Sequence, residues 1–164
     1  MMRHLRHLFA TRAGTARRFP AALLESIEAA VKAAELRTSG EIRFVVETAL
    51  EPGEVWAGIT PRERAIQTFS DLHVWNTELR NGVLIYVLLA DRDVEILADR
   101  GAAERIGPAD WEGVCRVMEG HFHAGRFAEG SLAGVAAVGG LLETHFPADR
   151  GRNRDELPNQ PTLL

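Results

Sequence analysis

The stretch that decides the fold spans residues 80–101 and reads RNGVLIYVLLADRDVEILADRG. It opens with Asn81-Gly82, a dipeptide typical of turns. Eight apolar residues follow at positions 83–90, and an unbroken run of this length predicts a strand buried on both faces. The charged turn at 91–93 then leads into a second strand-like segment. The stretch therefore predicts a β-hairpin whose first strand lies inside a sheet.

Hydrophobic periodicity predicts one further strand and four helices around this hairpin. Apolar residues recur at three- and four-residue steps in the predicted helices, whereas Ile, Phe and Val dominate the predicted strand. The strand spans residues 41–48, and the helices span residues 21–36, 61–72, 108–124 and 127–146.

The resulting order is α-β-α-β-β-α-α, which places the chain in the α/β class. A helix connects the first two strands, so we expect them to be parallel with a right-handed crossover. The short turn makes the hairpin strands antiparallel. Helices on both faces of this mixed sheet predict a three-layer α/β/α sandwich.

Length and composition are those of one globular domain, with 164 residues, 46% hydrophobic and 26% charged. The net charge is −4, yet residues 1–18 carry five arginines and no acid. The remainder holds 14 basic and 23 acidic residues. An acidic body argues against nucleic acid as the main partner, because phosphate binding needs a basic face. The single cysteine, Cys115, excludes an intrachain disulfide and favours a cytoplasmic location.

We expect three regions: a basic mobile N-terminal arm at 1–18, a domain at 19–146, and a polar C-terminal tail at 147–164 that is disordered or lies on the surface. Two interpretations of the arm stay open. Leu5, Leu8 and Phe9 form an apolar stripe, as in a helix that lies in a membrane interface. That interpretation would place the protein peripherally at the inner membrane. The simpler interpretation, which we favour, is a frayed extension.

The predicted topology brings polar groups to one end of the sheet, where the first two strands start and the third strand finishes. This end receives Ser39, Glu41, Arg80, Asn81, Asp99 and Arg100.

Two interpretations of this end also stay open. Glu41, Asn81 and Asp99 offer the hard oxygen ligands that Ca²⁺ and Mg²⁺ prefer, and Arg100 is available to an anion. Alternatively, Arg80 or Arg100 forms surface ion pairs with the carboxylates, which is the commoner arrangement at strand ends. No cofactor is certain from the residues alone.

No complete catalytic motif is present. The chain lacks the HExxH, CxxC, P-loop and GxSxG patterns. Cys115 lies on an apolar helical face, which indicates a buried side chain rather than a nucleophile. The sequence therefore predicts no catalytic residue, and whether the protein is an enzyme stays open.

Three segments of the chain resemble the TPM domain, whose relatives include a thylakoid-lumen protein of photosystem II repair. They are Ser39-Gly40-Glu41-Ile42, Asn81-Gly82-Val83-Leu84 and the run from Arg92 to Gly101. The helical region from Trp111 through Gly134 is also similar, so the resemblance covers about residues 21–146. The ending Asp155-Glu156-Leu157-Pro158 is similar to a short bacterial subgroup that consists of the domain alone.

This resemblance implies a Rossmann-like α/β/α fold, with proposed phosphatase activity and divalent-cation binding in some relatives. Family members often have an acidic residue just before Asn-Gly, whereas this chain has Arg80. That difference removes one candidate ligand and adds a repelling charge, which disfavours a metal. Many relatives are also exported and anchored by a later apolar helix with a Gly-rich tail. This chain has neither feature, which again favours the cytoplasm.

Two functions follow as hypotheses. The first, which we favour, is a non-enzymatic TPM binding or regulatory module for a protein or membrane-surface partner. The alternative is a divalent-metal-assisted phosphatase acting through Glu41, Asn81 and Asp99. The sequence does not indicate the oligomeric state.

Overall fold

The computed structural model describes residues 2–149 and 155–164. Within these ranges the helices are α1 (Met2–Phe9), α2 (Arg12–Arg18), α3 (Ala21–Glu35), α4 (Pro52–Trp56), α5 (Pro61–Asp71), α6 (Arg100–Arg105), α7 (Pro108–His123) and α8 (Phe127–His145). The strands are β1 (Glu41–Glu47), β2 (Gly82–Leu88), β3 (Asp93–Ala98) and β4 (Thr162–Leu163). The protein is a mixed α/β domain.

The strands form one mixed sheet in the order β3-β2-β1-β4. β1 and β2 are parallel, with Glu41 opposite Gly82. β2 and β3 are antiparallel, with Val83 opposite Ala98. β4 extends the sheet in parallel beside β1. The starts of β1 and β2 and the end of β3 therefore lie at the same end of the sheet.

Both faces of the sheet are covered, so β1 and β2 are buried along their whole length. On one face, Ile42 and Phe44 of β1 belong to a large apolar cluster with residues of α3, α7 and α8. On the other face, Val45 of β1 and Tyr86 of β2 lie in a smaller cluster with residues of α4 and α5 and with Leu157. The unbroken apolar run at 83–90 is explained by this burial on two sides.

Other helices pack closely against three glycines of α8, namely Gly130, Gly134 and Gly139. A Cβ at Gly134 would lie 2.2 Å from Sδ of Met118 on α7, and one at Gly139 would lie 2.8 Å from Cβ of Ala34 on α3. Glycine lowers the helix propensity of α8, and the close packing that it allows against α3 and α7 compensates for this loss.

Two short helices, α4 and α6, occupy connecting segments for which the sequence predicted neither a helix nor a strand. The Glu51 N–H before α4 donates to Oε2 of Glu54 at 2.9 Å. Oδ1 of Asp99 accepts from the N–H of Arg100 at 2.7 Å at the start of α6. These local caps favour single helical turns that are too short to show apolar periodicity.

The N-terminal segment, for which the sequence predicted a mobile arm, forms two helices that contact the domain. His7 is buried, and its Nδ1 accepts from the N–H of Leu50 at 2.9 Å. Nε2 of His7 lies 3.0 Å from Oδ1 of Asp91. Arg3 forms an ion pair with the same carboxylate at 2.9 Å. Periodicity did not predict these contacts because the side chains that make them are polar.

The C-terminal residues 155–164 also differ from the predicted tail. Leu157 and Asn159 are buried, and β4 pairs with β1. The N–H of Leu164 donates to the carbonyl of Val46 at 2.9 Å. Residues 150–154 of the predicted tail lie outside the described residues.

Side chains from neighbouring helices form hydrogen bonds with backbone groups on the outer edge of β3. Oε1 of Glu119 accepts from the N–H of Val94 at 3.3 Å, and a guanidinium nitrogen of Arg62 donates to the carbonyl of Ile96 at 3.0 Å. Both groups face away from β2, where a further strand would otherwise pair.

Candidate cation site

Three carboxylates converge where the end of α3, the start of β1 and the C-terminal segment meet. They belong to Glu35, Glu41 and Asp155, and one oxygen of each lies within 4.8 Å of the others. We call this group the carboxylate cluster. Each side chain comes from a different part of the chain, so the cluster exists only in the folded domain.

A tight turn between α3 and β1 positions the first two carboxylates. Oγ1 of Thr38 donates to the carbonyl of Phe146 at 2.6 Å and accepts from the N–H of Gly40 at 3.0 Å. A Cβ at Gly40 would lie 2.9 Å from Cδ2 of Leu142. The turn is thus packed directly against α8, which fixes the direction in which the chain enters β1.

Backbone N–H groups hold two of the carboxylates. Oε1 of Glu35 accepts from the N–H of Ile42 at 2.9 Å. Oε2 of Glu41 accepts from the N–H of Leu157 at 3.1 Å. These hydrogen bonds orient both side chains and connect the C-terminal segment to the first residue of β1.

The cluster is electrostatically unfavourable when all its members are ionised. The pKa of Glu35 is raised to about 8, mainly by burial and also by the charges of Glu41 and Asp155, against the lowering effect of the Ile42 hydrogen bond. Burial likewise raises the pKa of Glu41 to about 7, against the N–H groups of Leu157 and Glu156. Near neutral pH the cluster therefore favours taking up protons or a cation.

An amide side chain beside the cluster is incompletely hydrogen-bonded. Nδ2 of Asn159 donates to Oδ2 of Asp155 at 3.2 Å. Asn159 is only 8% exposed, and its Oδ1 is buried without a hydrogen-bond partner among the described residues. A buried amide oxygen in this state is costly and is a further hard ligand close to the carboxylates.

These groups fit a divalent cation that prefers oxygen. Ca²⁺ binds oxygens at about 2.3–2.6 Å and Mg²⁺ at about 2.0–2.1 Å. Two ligands on opposite sides of one ion are then about 4–5 Å apart, which is compatible with the spread of at most 4.8 Å in the cluster. The ligands would be Glu35, Glu41 and Asp155, with Asn159 beside them.

Arg43 on β1 binds the C-terminal segment rather than a free anion. It is buried, and its guanidinium donates to the carbonyls of Pro158 and Gln160. It also donates to Oγ1 of Thr162 at 2.6 Å. Its positive charge lowers the pKa of Glu35, which partly offsets the repulsion between the carboxylates.

The residues predicted from the sequence have different partners at this end of the sheet. Glu41 belongs to the carboxylate cluster. Nδ2 of Asn81 donates to the carbonyl of Ser39 at 2.9 Å. The carboxylate of Asp99 caps α6.

The two predicted arginines border the same end of the sheet. Arg80 has a left-handed backbone with φ of 52°, and its carbonyl accepts from the N–H of Ala102 at 3.2 Å. Arg100 is exposed as the first residue of α6. The set of Glu41, Asn81 and Asp99 as metal ligands stays a prediction.

Sequence reasoning missed Glu35 and Asp155. Glu35 follows the apolar positions of a helix and resembles any polar residue at a helix end. Asp155 lies in a segment that composition alone marks as a tail. The available signal was the Asp155-Glu156-Leu157-Pro158 ending, in which one apolar residue stands in a polar stretch. That residue, Leu157, is the one that anchors the segment in the core.

Comparisons with known proteins identify the same family that the sequence resemblance indicated. A family model described as the TPM domain matches residues 15–141. The BA42 protein of the psychrophilic bacterium Bizionia argentinensis, solved by NMR, is 33% identical, with a TM-score of 0.77. The match covers 88% of this chain and 94% of that one.

A second solved structure has a similar fold. The N-terminal domain of a protein from P. gingivalis is 22% identical with a TM-score of 0.61, and the match covers 77% of each chain. A comparison with curated proteins gives no match. Among the described residues, no helix is both long and apolar enough to cross a membrane.

Proposed function

Since this chain belongs to the TPM domain family, we propose that it is a non-enzymatic binding module controlled by a divalent cation at the carboxylate cluster. A cation there would neutralise Glu35, Glu41 and Asp155 and hold residues 155–164 against β1. The observation that carries the proposal is the convergence of three carboxylate oxygens within 4.8 Å, two of them with a raised pKa. Ca²⁺ and Mg²⁺ are the candidate ions, because all the ligands are oxygens.

The architecture that supports this function is, we infer, a Rossmann-like three-layer sandwich. The parallel β1–β2 pair, the β2–β3 hairpin and the helices on both faces support this inference. In this arrangement the cluster lies at the starts of the strands, beside the parallel pair.

Titration calorimetry with CaCl₂ and MgCl₂ tests the proposal directly. The wild-type chain should bind one of these ions, and Glu41→Gln should weaken binding about tenfold or more, because affinity follows the number of carboxylate ligands. Glutamine still accepts from the N–H of Leu157, so this variant keeps the local hydrogen bond. Glu104→Gln, which changes an exposed carboxylate on α6, is the matched control and should leave affinity unchanged. Equal binding by both variants, or no binding by the wild type, would contradict the proposal.

The phosphatase alternative makes a different prediction for the same variants. Burial raises the pKa of the Cys115 thiol to about 12, so this thiol is not an available nucleophile. Because the proposed cation only neutralises the carboxylates and holds residues 155–164 against β1, we expect no hydrolysis of an aryl phosphate in the presence of Mg²⁺. Hydrolysis by the wild type that Glu41→Gln abolishes and Glu104→Gln preserves would favour the phosphatase instead.

A further inference from the structure

Helix α1 docks on the domain with its polar side. Arg3 and His7 bind Asp91, and the ring of His4 packs edge-on against Trp56 with centroids 5.0 Å apart. At 100° per residue these three side chains fall on one side of the helix. In an ordinary surface helix it is the apolar side that packs inward.

The apolar side of the same helix is exposed. Met2, Leu5, Leu8 and Phe9 are 74%, 48%, 68% and 74% exposed. Together they form one stripe about 120° wide, as the helical spacing requires. We call these four residues the α1 face. Trp56 on α4, which contacts His4, is a further exposed apolar side chain, at 80%. Exposed apolar patches of this kind mark interaction surfaces.

An arginine-lined cavity opens beside the α1 face. It has a volume of about 280 Å³ and lies between α1, α2 and the β2–β3 turn. Arg6, Arg18 and Arg92 line it, with no acidic side chain among its described lining residues. Phe9 lines the cavity and also belongs to the α1 face. A cationic site thus adjoins an apolar one.

We propose that the α1 face and the arginine-lined cavity together dock the protein on an anionic lipid bilayer. The four apolar side chains enter the acyl boundary, and the cavity takes the phosphate of a lipid headgroup. Residues 1–18 carry five arginines and no acid, which complements an anionic surface. The side chains of the α1 face project outward from the helix. A fluid bilayer can accommodate them without the complementary groove that a protein partner would need. This surface is distinct from the carboxylate cluster.

Vesicle flotation with the full chain tests the apolar part. The wild type should float with vesicles of phosphatidylglycerol and phosphatidylcholine and not with phosphatidylcholine alone. The double variant Leu5→Asp/Phe9→Asp should bind about a hundredfold more weakly, because two buried apolar side chains are lost. Ile66→Asp/Val117→Asp is the control with the same charge change at exposed positions on α5 and α7, and it should retain most of the binding.

A second pair of variants tests the cavity. Arg92→Gln should lower affinity for the anionic vesicles about fivefold, the contribution expected of one arginine near a charged bilayer. Arg80→Gln is its matched control, because both arginines have a left-handed backbone, with φ of 57° and 52°. Arg80 should matter less because it lies outside the cavity lining.

Several outcomes would overturn the proposal. They are the absence of vesicle binding, binding that the α1-face and Arg92 variants leave unchanged, and equal binding to neutral vesicles. Light scattering that shows a dimer broken by Leu5→Asp/Phe9→Asp, without vesicle binding, would assign the α1 face to a second copy. Calorimetry with inorganic phosphate that shows Arg92-dependent binding, again without vesicle binding, would assign the cavity to a free anion.

Discussion

Arg64 on α5 neutralises the buried carboxylate of Glu47 on β1. Arg64 contacts Glu47 on β1 with N–O distances from 2.9 to 3.1 Å, and the hydroxyl of Tyr86 donates to the same carboxylate. Glu47 is buried, so it depends on these two partners. Burial and the bond to Glu47 raise the pKa of Tyr86, so the phenol stays a donor.

We therefore predict that Arg64→Met lowers the free energy of unfolding by about 3–5 kcal/mol, because it leaves a buried carboxylate unpaired. Arg62→Met is the control on the same helix. Arg62 forms an exposed ion pair with Glu95, so the loss should be about 1 kcal/mol or less. Urea unfolding of both variants measures the difference. Similar losses in the two would show that the Glu47 pair is not electrostatically isolated from water.

Among the helices and strands, those with a long apolar pattern could be predicted and the short ones could not. The periodicity of residues 21–36 and the run at 83–90 indicated α3 and β2 within a few residues. β4 has only two residues, and nothing in Thr162-Leu163 indicates pairing before the strand beside it is known. The carboxylate cluster was missed for the same reason. Glu41 could be predicted from its position at the start of a strand, whereas Glu35 and Asp155 become candidate ligands only through tertiary contacts.

Helix α8 offers a test of packing with a built-in comparison. Gly134→Ala should lower the free energy of unfolding by roughly 1–3 kcal/mol, because the new Cβ overlaps Met118. Gly140→Ala lies on the same helix with nothing within 4 Å of the added Cβ, and it should raise stability by up to about 1 kcal/mol through helix propensity. Thermal unfolding of both variants checks the prediction, which fails if the two alanines shift stability in the same direction.

For the whole molecule, the carboxylate cluster links stability to pH. The pKa of Glu35 rises on folding from 4.5 to about 8, and that of Glu41 from 4.5 to about 7. Between the unfolded and folded pKa values the folded chain holds more protons than the unfolded chain. The contribution of Glu35 and Glu41 to the free energy of unfolding is therefore fully present below pH 4.5 and is lost as pH rises through the folded pKa values.

We predict that the metal-free wild type loses stability relative to Glu35→Gln as pH increases from 4.5 to about 8. Urea unfolding in the presence of a chelator measures the free energy of unfolding of both proteins at each pH. Groups that titrate in both proteins cancel in the difference between the two values. If a cation binds the cluster, saturating Ca²⁺ or Mg²⁺ should reduce the pH dependence of the wild type. A difference between the two proteins that is constant with pH would show that Glu35 keeps its ordinary pKa.

The covered edge of β3 has a consequence for the behaviour of concentrated solutions. An open edge strand is a template on which other chains add and grow into fibrils. Here Glu119 and Arg62 occupy backbone groups that an incoming strand would use. On this side of the sheet, self-assembly into amyloid must first displace both side chains, which places a kinetic barrier before aggregation.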